Sequence, residues 1–324
     1  MSGPHDRSEC PAEAPCRFVR RLTIAGTDFT IRSSLVLSDE FDDPAYRSFM
    51  TAPAGASVPA VDVAVETGVM PAVESFERVF DCGETWTLWR EGACRWIVSH
   101  PPSLPSPLWA ARCSPDFTQV AVISGEAPRR GADDRLEIFN PVHYPLDQLL
   151  MMYFLAVNRG TLIHAAGASI AGRGYLFAGR SGAGKSTFSR LLAGGDVPCD
   201  LLSDDRMAIR LLPGGFRIFG TPWPGDAGIA ANRDAPLAGI FFLKHGAKNE
   251  IVPLTPAAAL DETLRVVSLP WYDPEVMSGA LASCLNGLVT RVPAYAFYFT
   301  PTPAAVAHLK SWLASKPPLS EAGQ

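Results

Sequence analysis

The chain has 324 residues, 47% of them hydrophobic, and sets 28 Lys and Arg against 33 Asp and Glu for a net charge of −5. That length supplies core for two domains, and an acidic balance without a basic run argues against a nucleic-acid partner and for a peptide or small molecule. Seven scattered cysteines (Cys10, Cys16, Cys82, Cys94, Cys113, Cys199, Cys284) form no C-x-x-C pair, so they signal neither a zinc site nor a disulfide framework and fit reduced thiols in a cytoplasm.

No apolar stretch approaches the roughly 18 residues of a membrane span, and the first residues carry neither a charged n-region nor an apolar h-region. Residues 1–16, rich in Pro, Ser and charge, read as a disordered tail. A β-rich N-terminal domain is expected over 17–142. Its strands are RFVRRLTIAG, DFTIRSS, TWTLWR, CRWIVSH, QVAVIS and RLEIFN, the middle two closing a hairpin at Glu91-Gly92-Ala93. Pro-rich connections at 52–72 and 101–107 read as long surface loops. Trp86, Trp89 and Trp96 alternate with polar residues and read as one half-buried sheet face.

The second domain, expected over 143–316 with a tail at 317–324, opens on an apolar helix from Pro145 to Val157 that docks the two halves. TLIHAAGASIA, a turn at Gly172-Arg173-Gly174 and the strand Tyr175-Leu176-Phe177-Ala178 then read as a hairpin carrying His164. Next comes Gly179-Arg180-Ser181-Gly182-Ala183-Gly184-Lys185-Ser186-Thr187, the pattern G-x-x-x-x-G-K-[ST] between a strand and a helix. Glycines let the backbone wrap an anion, and the N–H groups of the turn and the new helix point at its oxygens. Lys185 then reaches the β- and γ-phosphates and Ser186 ligates Mg²⁺, so the expected ligands are ATP and Mg²⁺. Gly194-Gly195 stops the helix.

About 20 residues on, DLLSDDRMAIR delivers Asp204 and Asp205. One of them can address the Mg²⁺ shell while the other accepts a proton from an attacking hydroxyl. Downstream, the Pro222-Trp223-Pro224 turn offers either an aromatic platform for a base or peptide or a plug against the core, and His245 reads as a surface residue. Strands are expected at Gly215 to Phe219, Leu237 to Lys244 and YAFYFT. Helices are expected in TPAAALDETLRVVSL and DPEVMSGALASCLNGLVT, capped by Thr255 and Asp273, and in PAAVAHLKSWLA. Arg180, Arg217, Arg265 and Arg291 are the arginines available to steady transition-state charge. Neither an L-S-G-G-Q signature nor an N-K-x-D motif follows.

His164 before the loop, GRSGAGKST and LLSDDRMAIR together resemble the HPr kinase/phosphorylase family, whose nucleotide core is similar to that of PEP carboxykinases. Ser203 stands where the family has alanine in its A-D-D tripeptide. The resemblance covers about residues 158–300. It implies an α/β P-loop core of the HPr kinase/PEP carboxykinase type behind the β-rich domain, and a serine kinase acting on a protein or peptide. It further implies that Lys185 binds the β-phosphate, that Ser186 and Asp205 hold Mg²⁺, and that Asp204 is the base with His164 close by. The family's phosphorylase and C-terminal regulatory signatures have no clear counterpart here. An ATP-binding sensor without transfer and a PEP-carboxykinase-like small-molecule enzyme are the competing expectations. The sequence leaves the oligomeric state open, a homo-oligomer included.

Overall fold

Alternation places Leu22 and Ile24 on the same face of the strand Phe18–Ile24 as Phe29 and Ile31 on Thr27–Ser33, so the first hairpin buries one side and wets the other. The computed structural model describes residues 17–38, 43–50 and 59–315. The expected tails at 1–16 and 317–324, with Cys10 and Cys16, lie outside the described residues. The first hairpin opens an eight-stranded mixed sheet. Its order runs on through Ala60–Thr67, Gln119–Ser124, Trp109–Cys113, Cys94–Ser99, Trp86–Glu91 and Glu77–Asp81. The hairpin expected at residues 91–93 forms, with Glu91 opposite Cys94 and Gly92 at φ +58° in the turn.

The connection expected at 52–72 is corrected in its middle: Ala60–Thr67 is an inner strand, parallel to both neighbours. Val61, Val63 and Val65 face the core at strand period, while Pro59 and Pro71 fall outside the strand, where a missing N–H breaks no ladder. Composition masked the periodicity. The same sheet also gains Glu77–Asp81 and Trp109–Cys113, which the sequence reading left unassigned.

The second half builds a nine-stranded sheet flanked by helices, and a three-stranded sheet completes a mixed α/β chain. Helix Leu146–Val157 follows a cis Tyr144–Pro145 bond and is buried along nearly its whole length. It packs into one cluster with Phe29, Phe49, Val63 and Ile97 of the first half and with Leu162, Ala208, Phe219 and Trp223 of the second. The seam between 17–142 and 143–316 is therefore core, not linker. Two buried arginines also cross it. Arg95 pairs with Asp273 at 2.7 Å, and Arg210 donates to the carbonyls of Ala25 and Gly26 at 2.7 and 3.0 Å. Asp273 was expected to cap a helix; its carboxylate serves Arg95 instead.

The expected helix in residues 255–269 ends at Leu264, and Val267–Ser268 is a short strand beside the His164 strand. The expected helix from residue 273 is broken by a π-type stretch at Leu281–Leu285 between Pro274–Ala280 and Asn286–Arg291. Gly215–Phe219, Ala294–Phe299 and Pro303–Ala314 lie where the sequence placed them. No helix among the described residues is long and apolar enough to cross a membrane.

Candidate functional site

Strand Gly160–Ile170 carries His164 and turns through Ala171 and Gly172, both at positive φ, into Arg173–Ala178. Two left-handed residues make the tightest hairpin, one residue earlier than the sequence reading set it. Arg173–Ala178 runs parallel to Asp234–His245, and the glycine loop leaves its end to enter helix Lys185–Ala193. The loop's shape depends on missing side chains. A Cβ on Gly179 would lie 2.6 Å from Ala183 Cβ, and one on Gly184, at φ +92°, would lie 2.8 Å from Phe299 Cζ. Gly182, at φ +80°, faces open space. Gly184 offers the helix no side-chain cap, so its first N–H groups suit an anion.

Lys185 is buried and folds over the loop, donating from Nζ to the carbonyls of Gly179 at 3.0 Å and Arg180 at 3.3 Å. An ammonium has three donors, so one remains for a ligand. Burial pulls its pKa below the usual lysine range, and the charge of Asp205 offsets only part of that. Ser186 is half-buried and Thr187 exposed on the first turn, and Arg180 and Ser181 are exposed beside the loop.

Asp204 and Asp205 sit at a break between Cys199–Ser203 and Arg206–Leu212, which pair with the two ends of the His164 strand. This irregularity re-aims neighbouring side chains that a straight strand would send to opposite faces. Asp204 is buried and accepts the backbone N–H groups of Gly225, Ala227 and Ile229 at 2.9, 2.7 and 3.1 Å, so it holds the turn after Pro224. Asp205, partly exposed, meets His164 Nε2 through Oδ1 at 2.6 Å and Arg206 Nε through Oδ2 at 3.3 Å. Burial pushes the Asp205 carboxyl up, but His164, Arg206 and Lys185 together hold it below the usual carboxylate range. Of the paired aspartates, the one beside His164 is Asp205, and the one expected as base is enclosed by backbone amides.

Two clefts flank this centre. The loop-side cleft, about 360 Å³, is lined by residues 179–183 with Lys244, His245, Glu262 and Arg265. His245, expected to be an ordinary surface residue, is exposed yet touches the loop, its Nε2 lying 2.9 Å from Gly182 O. Lys244 pairs with Glu262 at 2.6 Å. The seam cleft, about 440 Å³, reaches Asp205 and Arg206 from the other side, between Asp43, Tyr46, His143, Tyr144 and Pro222-Trp223-Pro224. Trp223 is mostly plug: it is buried, and its indole donates to Tyr46 Oη at 3.1 Å and Asp147 Oδ2 at 3.2 Å.

Arg180 and Arg265 line the loop-side cleft. Arg217 pairs with Asp234 and Arg291 lies over the Phe216 ring, so neither faces the loop. Sequence reasoning missed Arg206, whose adjacency to the aspartates was the available signal, and the seam residues of the first half, for which no local signal exists.

Mg²⁺ bound with nucleotide phosphates needs only one or two protein oxygens. The Ser186 hydroxyl fits that demand, as does Asp205 Oδ2, whose Arg206 contact is long. No group of three or more His, Cys, Asp or Glu side chains forms a metal site among the described residues. In comparisons with known proteins, no family model matches the chain and no curated protein matches it significantly.

Proposed function

We propose that the chain transfers the γ-phosphate of ATP to a serine hydroxyl of a protein or peptide, on an α/β P-loop core of the HPr kinase/PEP carboxykinase type. The 2.6 Å contact between His164 and Asp205, one strand away from the loop that ends in Lys185, carries this reading. A pure nucleotide binder needs a cradle but no proton acceptor beside it. The loop amides and the third N–H of Lys185 hold the phosphates. The acceptor oxygen bonds to the γ-phosphorus as the bond to the β-phosphate oxygen breaks, and the hydroxyl proton passes to the hydrogen-bonded His164–Asp205 pair. Mg²⁺, held by Ser186 and Asp205, would offset the phosphate charge. Asp204 keeps the turn that carries Pro222-Trp223-Pro224. The proposed setting is the cytoplasm, supported by the free thiols of the described cysteines.

The test incubates the full chain with γ-labelled ATP, Mg²⁺ and a dephosphorylated protein extract. Label should move to serine, and Lys185→Ala should weaken ATP binding in calorimetry at least tenfold, about 1.4 kcal/mol. Equal affinity for both proteins overturns the cradle. Lys185-dependent binding without transfer favours the sensor.

A further inference from the structure

The seam cleft is assembled from three parts of the chain, and it ends on Asp205, the carboxylate whose charge acts on Lys185 of the glycine loop. Asp43 and Tyr46 come from the short helical turn Pro44–Phe49, His143, Tyr144 and Gln148 from the start of the docking helix, and Asp205 to Pro224 from the core. Its volume falls within the roughly 300–1,000 Å³ of ligand sites. Its walls are rigid: Tyr46 Oη donates to Asp147 at 2.5 Å, the Tyr46 ring packs on His143 at 4.4 Å, and Trp223 bonds to both Tyr46 and Asp147. At the mouth, Tyr144 is 60% exposed, an aromatic with little of its own surface covered.

Charge selects the occupant. Among the described residues the cleft presents the carboxylates of Asp43 and Asp205 against one guanidinium, and that guanidinium, Arg206, already serves Asp205 and the Ser268 hydroxyl at 2.8 Å. A small dicarboxylate would meet like charge there, with the one described guanidinium already engaged. A peptide strand suits the same walls, since prolines and aromatics cover its backbone and Asp43 pairs with a basic side chain.

We propose that the seam cleft is the acceptor site, and that it takes an extended peptide segment whose serine sits at Asp205 with a Lys or Arg residue directed to Asp43. The proposal rests on the transferase reading. It makes the first half of the chain part of the acceptor site, so specificity is shared across the seam.

The experiment uses the full chain with ATP, Mg²⁺ and an oriented serine-peptide library scanned at each flanking position. Lys and Arg should be selected over Ala at one position by about fivefold, the size of a favourable exposed ion pair. Asp43 also caps its helical turn, accepting from Ala45 N at 2.9 Å, and Asn caps equally well, so Asp43→Asn removes the charge and keeps the cap. That variant should lose the basic selection while its ATP affinity stays the same. Tyr144→Ala should raise the peptide KM and leave the ATP KM unchanged. Peptide transfer with no basic selection, or with the same selection in Asp43→Asn, overturns the proposal and leaves the transferase standing. Turnover of a small hydroxy or keto acid alone overturns it as well. Lys185-dependent ATP binding with no transfer to any acceptor removes the transferase reading and this proposal with it.

Discussion

The loop-side and seam clefts are built in opposite ways, and of the two the seam cleft is the one lined by Asp205, whose charge bears on Lys185 at the end of the loop. The first is formed within the second half, from residues 179–183, 242–245, Glu262, Arg265 and Val266, and its loop offers backbone N–H groups. The second draws side chains from both halves, residues 43 and 223 among them. A site made of backbone amides needs only a few glycines in a row, because the peptide group itself is the ligand. A site made of side chains from distant segments exists only when the core between them is packed. The cradle should therefore tolerate damage to the seam, while the acceptor cleft should not.

The sharpest way to break that contrast is at the paired aspartates, of which Asp205 lines the seam cleft. Asp205→Asn should keep the fold and ATP binding but lose about 10²- to 10⁴-fold in transfer rate, the range of a proton-accepting group. Asp204→Asn should instead lower stability by about 1–3 kcal/mol in urea melts, since an amide NH₂ would face backbone donors that the carboxylate now satisfies. If Asp204→Asn abolishes transfer at unchanged stability, the roles revert to those the family resemblance implies.

A loss of stability rather than of transfer is expected at the ionic clasp of the seam. Arg95→Ala strands the buried Asp273 carboxylate and should cost about 3–5 kcal/mol in denaturant unfolding. A loss near zero would mean the apolar core alone holds the halves together.

A pH-dependent effect concerns Asp147, whose carboxyl burial pushes up to about 6 despite hydrogen bonds from Tyr46 and Trp223. The folded chain binds this proton more tightly than the unfolded one. Its contribution is therefore full at low pH and is lost as pH rises from about 4 through 6. Relative to Asp147→Asn, the native chain should lose on the order of 2–3 kcal/mol between pH 4 and pH 7.5, read from paired urea melts at each pH. A constant difference would place Asp147 in a wetter seam than the structure shows.

The glycine loop is legible in the sequence because its constraints are local. Gly184 must be left-handed and Gly179 must clear Ala183, and both demands fall within six residues of chain. Helix Pro303–Ala314 and strand Gln119–Ser124 were legible for the same reason, each displaying its own period and stop signals. Ala60–Thr67 was not, because flanking Pro and Gly residues outweighed three alternating valines, and only its pairing with two parallel neighbours reveals an inner strand.

His164 and the Asp204-Asp205 pair were found as residue types at a spacing; their assignment was not. One extra turn of backbone after Pro224 encloses Asp204, and the break in the strand hands Asp205 to His164, 41 positions away along the chain by numbering. Sequence by itself determined the glycine loop, the apolar periodicities and the acidic balance, since each is a property of neighbouring residues. The division of labour between the two aspartates, the burial of Trp223 and the cleft shared by Asp43 and Arg206 were decided by tertiary structure, because hydrogen-bond donors and opposing walls arrive there from segments that no local pattern connects.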